Sequence, residues 1–115
     1  MDKIKINVYS IVGSKFCVEA DDGEKIYELI VKELSDNKKI DLNFQNIELI
    51  TTAFLNSAIG KLYKDFSEET IKNYLSVSEI SDTAAISLKR VVENAKMFYK
   101  NPQALQDSIN NILDE

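Results

Sequence analysis

Three short stretches of this chain alternate apolar with polar residues, and segments with apolar residues every three or four positions lie between them. That alternation constrains the fold more than any other feature. Lys3 to Tyr9 sets Ile4, Ile6 and Val8 against Lys3, Lys5 and Asn7. Lys39 to Phe44 sets Ile40, Leu42 and Phe44 against Asp41 and Asn43, and Leu75 to Ile80 carries Leu75, Val77 and then Ile80. A period of two is the pattern of a half-buried strand. Between them, Ile26, Leu29, Ile30 and Leu34 recur at helical spacing, as do Phe54, Leu55, Ala58, Ile59, Leu62, Tyr63 and Phe66. Strands separated by amphipathic helices predict an α/β fold: a small, largely parallel or mixed sheet with helices packed on it.

Local signals supply boundaries. Gly13-Ser14 reads as a turn, and Phe16, Cys17 and Val18 read as a buried run. Asp21 or Asp22 is expected to cap the helix that ends in the polar stretch from Ser35 to Lys39. Ile47, Leu49 and Ile50 read as a short connection of buried residues, and Thr51-Thr52 opens the next helix. Gly60 lies inside that helix, where glycine costs about 1 kcal/mol relative to alanine; close approach to a sheet or another helix is the expected compensation. Ser67-Glu68-Glu69 starts a short helix to about Tyr74, and Ser81 or Asp82 caps a long one carrying Ala84, Leu88, Val91, Val92, Ala95, Phe98 and Tyr99. Asn101-Pro102 is a cap followed by proline at a first helical position. It predicts a last helix over about 102–113, with Leu105, Ile109, Ile112 and Leu113 on one side. The order reads β-α-β-α-(α)-β-α-α, one domain over 1–115 with the 102–113 helix appended.

Composition narrows the chemistry. Histidine is absent, which removes the commonest general base and metal ligand. The single cysteine, Cys17, sits in an apolar run and reads as a core thiol; one cysteine permits no internal disulfide, which suits a reducing compartment. A net charge of -5 disfavours phosphate neutralisation, so nucleic acid is not an expected partner, and Lys38-Lys39 reads as a solvated turn. No signal peptide and no membrane-length apolar run are apparent, so a cytoplasmic location is expected. Gly13-Ser14-Lys15 is a fragment of a phosphate loop without the full spacing; Gly13 and Ser14 are a candidate ligand loop, with a plain turn as the alternative. Glu19, Asp21, Asp22 and Glu24 lack the spacing of a calcium loop and read as an acidic, helix-capping segment. Five tyrosines and many acids form no recognisable catalytic pair. The expectation is a protein that is not an enzyme and uses no metal or cofactor.

The segment DLNFQNIELITTAFLNSAIGKLY, residues 41–63, places a strand and a short apolar connection before hydroxyls at a helix start. It resembles the STAS domains of sulphate-transporter tails and anti-sigma-factor antagonists. In those, a strand and a hydrophobic segment lead to Asp-Ser-Ser-Gly at a helix start, with a glycine deep in the helix. More closely, residues 3 to about 100 look like a bacterial STAS-like family of unknown function, carried by IVGSKFCVEADDGEKIY at 11–27 and by Leu49-Ile50-Thr51-Thr52-Ala53-Phe54. In the antagonists a helix-start serine is phosphorylated by an ATPase of the histidine-kinase fold, which breaks the partner complex. Here Thr51 falls on the family's Asp, Thr52 on the first Ser, Ala53 on the phosphorylated Ser and Phe54 on the Gly. Alanine accepts no phosphate, so such a switch is either lost or moved to Thr52.

The resemblance implies a regulatory protein–protein interaction module that binds through the strand-to-helix segment, with Thr51, Thr52 and Asn56 as candidates. Thr51 and Thr52 as simple helix caps are the structural alternative. The alternative function is a small-molecule or nucleotide sensor without catalysis. Phe98, Tyr99 and the C-terminal helix also carry enough apolar surface for self-association, or for packing within the chain.

Overall fold

The computed structural model describes residues 3–100, without the side chain of Lys100. The chain runs β1 (Ile4–Asn7), α1 (Val8–Val12), β2 (Phe16–Cys17), α2 (Ala20–Ser35), β3 (Ile40–Asn43), β4 (Leu49–Ile50), α3 (Thr52–Leu55), a π turn (Asn56–Gly60), α4 (Leu62–Asp65), α5 (Glu68–Tyr74), β5 (Leu75–Ser78) and α6 (Asp82–Lys100). The three strands read from sequence form one sheet in the order β1-β3-β5, and both pairs are parallel. Ile40 is level with Ile4 and Leu75, and Leu42 with Ile6 and Val77. Parallel neighbours require long crossovers, and the helical segments supply them. The α/β architecture, with small parallel sheets, agrees with a STAS-like fold.

Buried polar atoms of the central strand are tied to one another. Asn43 donates to Ser78 Oγ at 3.1 Å and accepts from Gln45 N–H at 2.9 Å, and Ser78 donates to Asp41 Oδ1 at 2.6 Å. Such satisfaction lets a polar residue sit in a sheet interior at little cost.

Several boundaries differ from the sequence reading. The first strand stops at Asn7 because its Oδ1 accepts from Ser10 N–H at 2.9 Å and caps α1; Val8 reaches the core from that helix. Gly13 ends α1 at φ +77°, a left-handed conformation that glycine adopts without a Cβ clash. Phe16-Cys17-Val18 is not a uniformly buried run. Cys17 points inward while Phe16 and Val18 remain 45% and 39% exposed, as extended backbone requires. The stretch at Leu49–Ile50 is a short parallel partner of Phe16–Cys17, with Leu49 exposed rather than buried. Glu19, not Asp21 or Asp22, occupies the cap of α2, which leaves the two aspartates in its first turn and Gly23 inside it. Ser67 and Ser81 take the expected cap roles, accepting from Thr70 and Ala84 N–H. The helix expected over 102–113 lies outside the described residues.

The core joins the sheet to α2 and to the segment after Thr51, with Ile71 of α5 and Val91 of α6 added to it. Ile26, Ile30 and Leu34 of α2 are buried together with Phe54, Leu55, Ala58, Ile59 and Leu62 of the segment that follows Thr51. Gly23 lets them meet. A Cβ there would lie 2.6 Å from the Phe54 carbonyl oxygen, 2.8 Å from Ser57 Cβ and 3.2 Å from Ala58 N. The nearest obstacle is backbone and cannot rotate away. Gly60, where the sequence predicts a close approach, leaves room: its Cβ would meet Asn56 Oδ1 at 3.4 Å, and across to α6 Val91 Cγ1 at 3.6 Å and Ala95 Cβ at 3.9 Å. These are ordinary contacts.

Opposite outcomes follow for the same substitution at two helical glycines. Gly23→Ala should cost about 1–3 kcal/mol through overpacking. Gly60→Ala should be neutral or stabilise by up to about 1 kcal/mol. Urea unfolding of both variants checks this, and equal effects would contradict the packing described.

Candidate functional site

The hydroxyl of Thr51 is fully engaged inside the molecule. It accepts from Phe54 N–H at 3.2 Å, capping α3, and donates to the Val18 carbonyl at 2.8 Å; the Thr51 N–H meets the Cys17 carbonyl at 3.0 Å. Thr51 therefore pins the helix start to the chain leaving β2. Thr52, Ala53 and Asn56 point the other way and are exposed. Positions three and four apart share a helix face, so these three make one small patch. Of the sequence candidates, Thr52 and Asn56 come together at the surface and Thr51 does not join them.

Beside the patch lies an open groove of about 580 Å³. Ala53, Asn56, Ser57 and Gly60 form one wall, and Asn94, Ala95, Phe98 and Tyr99 of α6 form the other. Ala20 and Lys61 complete it. Ser57 donates to the Ala20 carbonyl at 2.8 Å, holding the wall to the start of α2. Lys61 pairs with Glu24, and its ammonium also sits 4.4 Å from the centre of the Tyr27 ring, a cation–π distance. Tyr27 in turn donates to Asp65 Oδ2 at 2.9 Å; burial first, and then this carboxylate, push its hydroxyl up to about 12. The rim is thus cross-braced between α2 and α4 while the floor is apolar.

Sequence reasoning missed Ser57, Lys61 and the α6 wall. Small residues at Ala53, Ser57 and Gly60 recur at helical spacing and were the available signal; the wall opposite comes from residues more than thirty positions away.

Gly13 and Ser14 do not line the groove. Gly13 closes α1, and Ser14 Oγ accepts from Phe16 N–H at 3.1 Å, so the turn reading accounts for both. The acids near the start of α2 do not converge: Asp22 pairs with Lys25 and Glu24 with Lys61. Among the described residues no cluster of three or more cysteine or carboxylate side chains suits a metal, and no helix is long and apolar enough to cross a membrane. Cys17 is fully buried, and burial, with a smaller effect from Asp22, pushes its thiol up to about 11. It stays protonated at neutral pH, the unreactive state of a thiol.

A family model described as a STAS-like domain of unknown function matches residues 22–85, more than half of the chain. The chain belongs to that family. No curated protein and no solved structure matches it.

Two measurements test the roles of Thr51 and Cys17. Thr51→Ala should lower stability by about 1–2 kcal/mol through the lost cap and the orphaned Val18 carbonyl, whereas exposed Thr52→Ala should stay within about 0.5 kcal/mol; chemical unfolding separates them. Cys17 has a folded pKa of about 11 against 9.0 for the ordinary thiol, so its contribution is complete below pH 9 and is lost as pH rises towards 11. That loss is on the order of 2–3 kcal/mol. Cys17→Ala should flatten the fall of the urea midpoint between those pH values, leaving the decline above pH 10 that Tyr27 and Tyr63, both raised by burial, produce.

Proposed function

We propose that this STAS-like domain is a regulatory protein–protein interaction module whose partner lands on the face formed by Thr52, Ala53 and Asn56. The observation that carries this reading is the division of labour at the helix start. Thr51 is spent internally on the fold, so the neighbouring side chains are presented to solvent on a backbone held from two sides. Binding rather than catalysis is proposed because the chain has no histidine and its one thiol is buried and protonated. By likeness to anti-sigma-factor antagonists, the partner proposed is an ATPase of the histidine-kinase fold, met in the cytoplasm.

Thr52 is the proposed point of control. Its side chain is exposed where Ala53 offers no hydroxyl. A phosphate there would add about -1.5 to -2 charges at the centre of the contact face. A partner surface that accepts the neutral patch would be repelled.

A second reading, a small-molecule or nucleotide sensor, is favoured by the groove itself. Its volume of about 580 Å³ falls within the range of ligand pockets, roughly 300–1,000 Å³, and an apolar floor edged by Asn56, Ser57 and Asn94 is a common arrangement for one.

The two readings part in one experiment. Tagged wild type, Thr52→Glu and Ala53→Arg are used to capture partners from the host, and the affinity of any retained protein is then measured directly. The module reading expects one regulator or ATPase held by the wild type and weakened at least about tenfold by either substitution, about 1.4 kcal/mol. Identical retention by all three proteins contradicts it. A rise in melting temperature with nucleotide, and no partner, supports the sensor.

A further inference from the structure

We propose that the outer edge of β1 takes up an extended segment of a partner protein, alternating apolar and acidic residues, as a further strand of the sheet. Among the described residues β1 pairs with β3 alone, so its other side has no neighbouring strand. Ile4 turns its N–H to the Lys39 carbonyl at 2.8 Å. Successive residues of a strand turn their backbone groups to opposite sides, so those of Lys5 point outward, where an added strand would meet them.

The edge is also walled. An open cleft of about 360 Å³ runs along residues 4–7, with Ser10 and Ile11 of α1 and Leu29 and Glu33 of α2 beside them. A strand edge flanked by helices suits strand addition, in which main-chain bonds hold a peptide and alternate side chains are read by the flanking surface. Ile4 and Leu29 are half-buried and Ile11 is 39% exposed, so the cleft offers apolar surface that the fold has not closed. Apolar side chains of the incoming strand fit there. Glu33 argues against acids on that face: its Oε2 is buried with no hydrogen-bond donor, and its ion-pair partner Lys38 stands 3.9 Å away.

The other face of the strand asks for the opposite chemistry. Lys3 and Lys5 alternate with Ile4 and Ile6 and are exposed, and exposed Lys39 flanks them just before β3. None of the three forms an ion pair among the described residues. The Lys3 ammonium donates to the neutral Ser76 hydroxyl at 3.1 Å, and Asp41, level with Lys5, accepts from Ser78. Acids at every second position of an added strand would meet Lys3 and Lys5 across the pair. A second copy of β1 does not meet that need, because it would set these lysines against the same lysines, and like charges placed opposite each other are destabilising. The edge shares no residue with the Thr52–Asn56 patch or the groove beside it, so this surface does not rest on the function proposed above.

The probe is a short capped peptide alternating valine with glutamate, taken to millimolar concentration over the isotope-labelled full chain. A control peptide replaces each glutamate with lysine. With the glutamate peptide alone, the Lys5 amide should shift and its exchange with solvent should slow at least about tenfold. Lys5→Glu should weaken binding at least about tenfold. Lys5→Pro should abolish it, because it removes the outward N–H at a position where an edge strand accepts proline. Urea unfolding checks that both variants fold, and Lys5→Glu decides if the proline variant does not. No change at Lys5, equal binding of the two peptides, or shifts confined to Ala53 and Asn56 would overturn the proposal. So would a doubled mass in sedimentation with Lys5 already protected before peptide is added, which would give the edge to a second copy.

Discussion

The contact of Gly23 with the backbone of Phe54 and Ala58 is the constraint on which the rest of this structure depends. Without a side chain at that position, α2 can lie directly against the helix that follows Thr51, and the two bury Ile26, Ile30, Phe54, Leu55 and Ala58 between them. Core density is high enough that one extra methyl group is felt throughout such a junction. The same approach brings Ala20 within reach of Ser57, and Glu24 and Tyr27 within reach of Lys61. A packing requirement at one glycine therefore fixes the floor and rim of the groove as well as the core.

Thr51 adds the second anchor. Its hydroxyl and N–H bind the segment leaving β2, so the helix start is held by β2 on one side and by α2 on the other. The exposed patch is consequently presented by rigid backbone rather than by a loop, which lowers the ordering cost of binding. The apolar groove beside it extends that surface.

The sheet was legible because each strand keeps its period of two: Ile40 and Leu42 had to face the core, and they do. The helix starts at Thr51, Ser67 and Ser81 were legible because a hydroxyl before an apolar-periodic run has few other uses. Failures came where two patterns overlap. Ile4, Ile6 and Val8 continue the strand period, yet the Asn7 side chain captures Ser10 N–H and starts a helix. Asp21-Asp22-Gly23 reads as a capping segment just before a helix, yet it lies inside the helix, and the glycine makes a helix-to-helix contact that only the tertiary structure reveals. Thr52 was singled out by the family resemblance and Asn56 by lying one turn further on, and both are exposed. The groove was not legible, because half its wall comes from α6. The family resemblance located the strand-to-helix segment and could not say that Thr51 turns inward.

The helix start is a rigid, preformed platform locked by Gly23 and Thr51, and the role proposed for its exposed face rests on that rigidity. Native-state hydrogen exchange tests it most directly at the amides of Leu55 and Lys61, which bond to the carbonyls of Thr51 and Asn56. If the platform is locked, both exchange only through global unfolding, with an opening free energy equal to the unfolding free energy from urea. Exchange at several kcal/mol below that value would mean that the segment opens locally, and would contradict a locked platform.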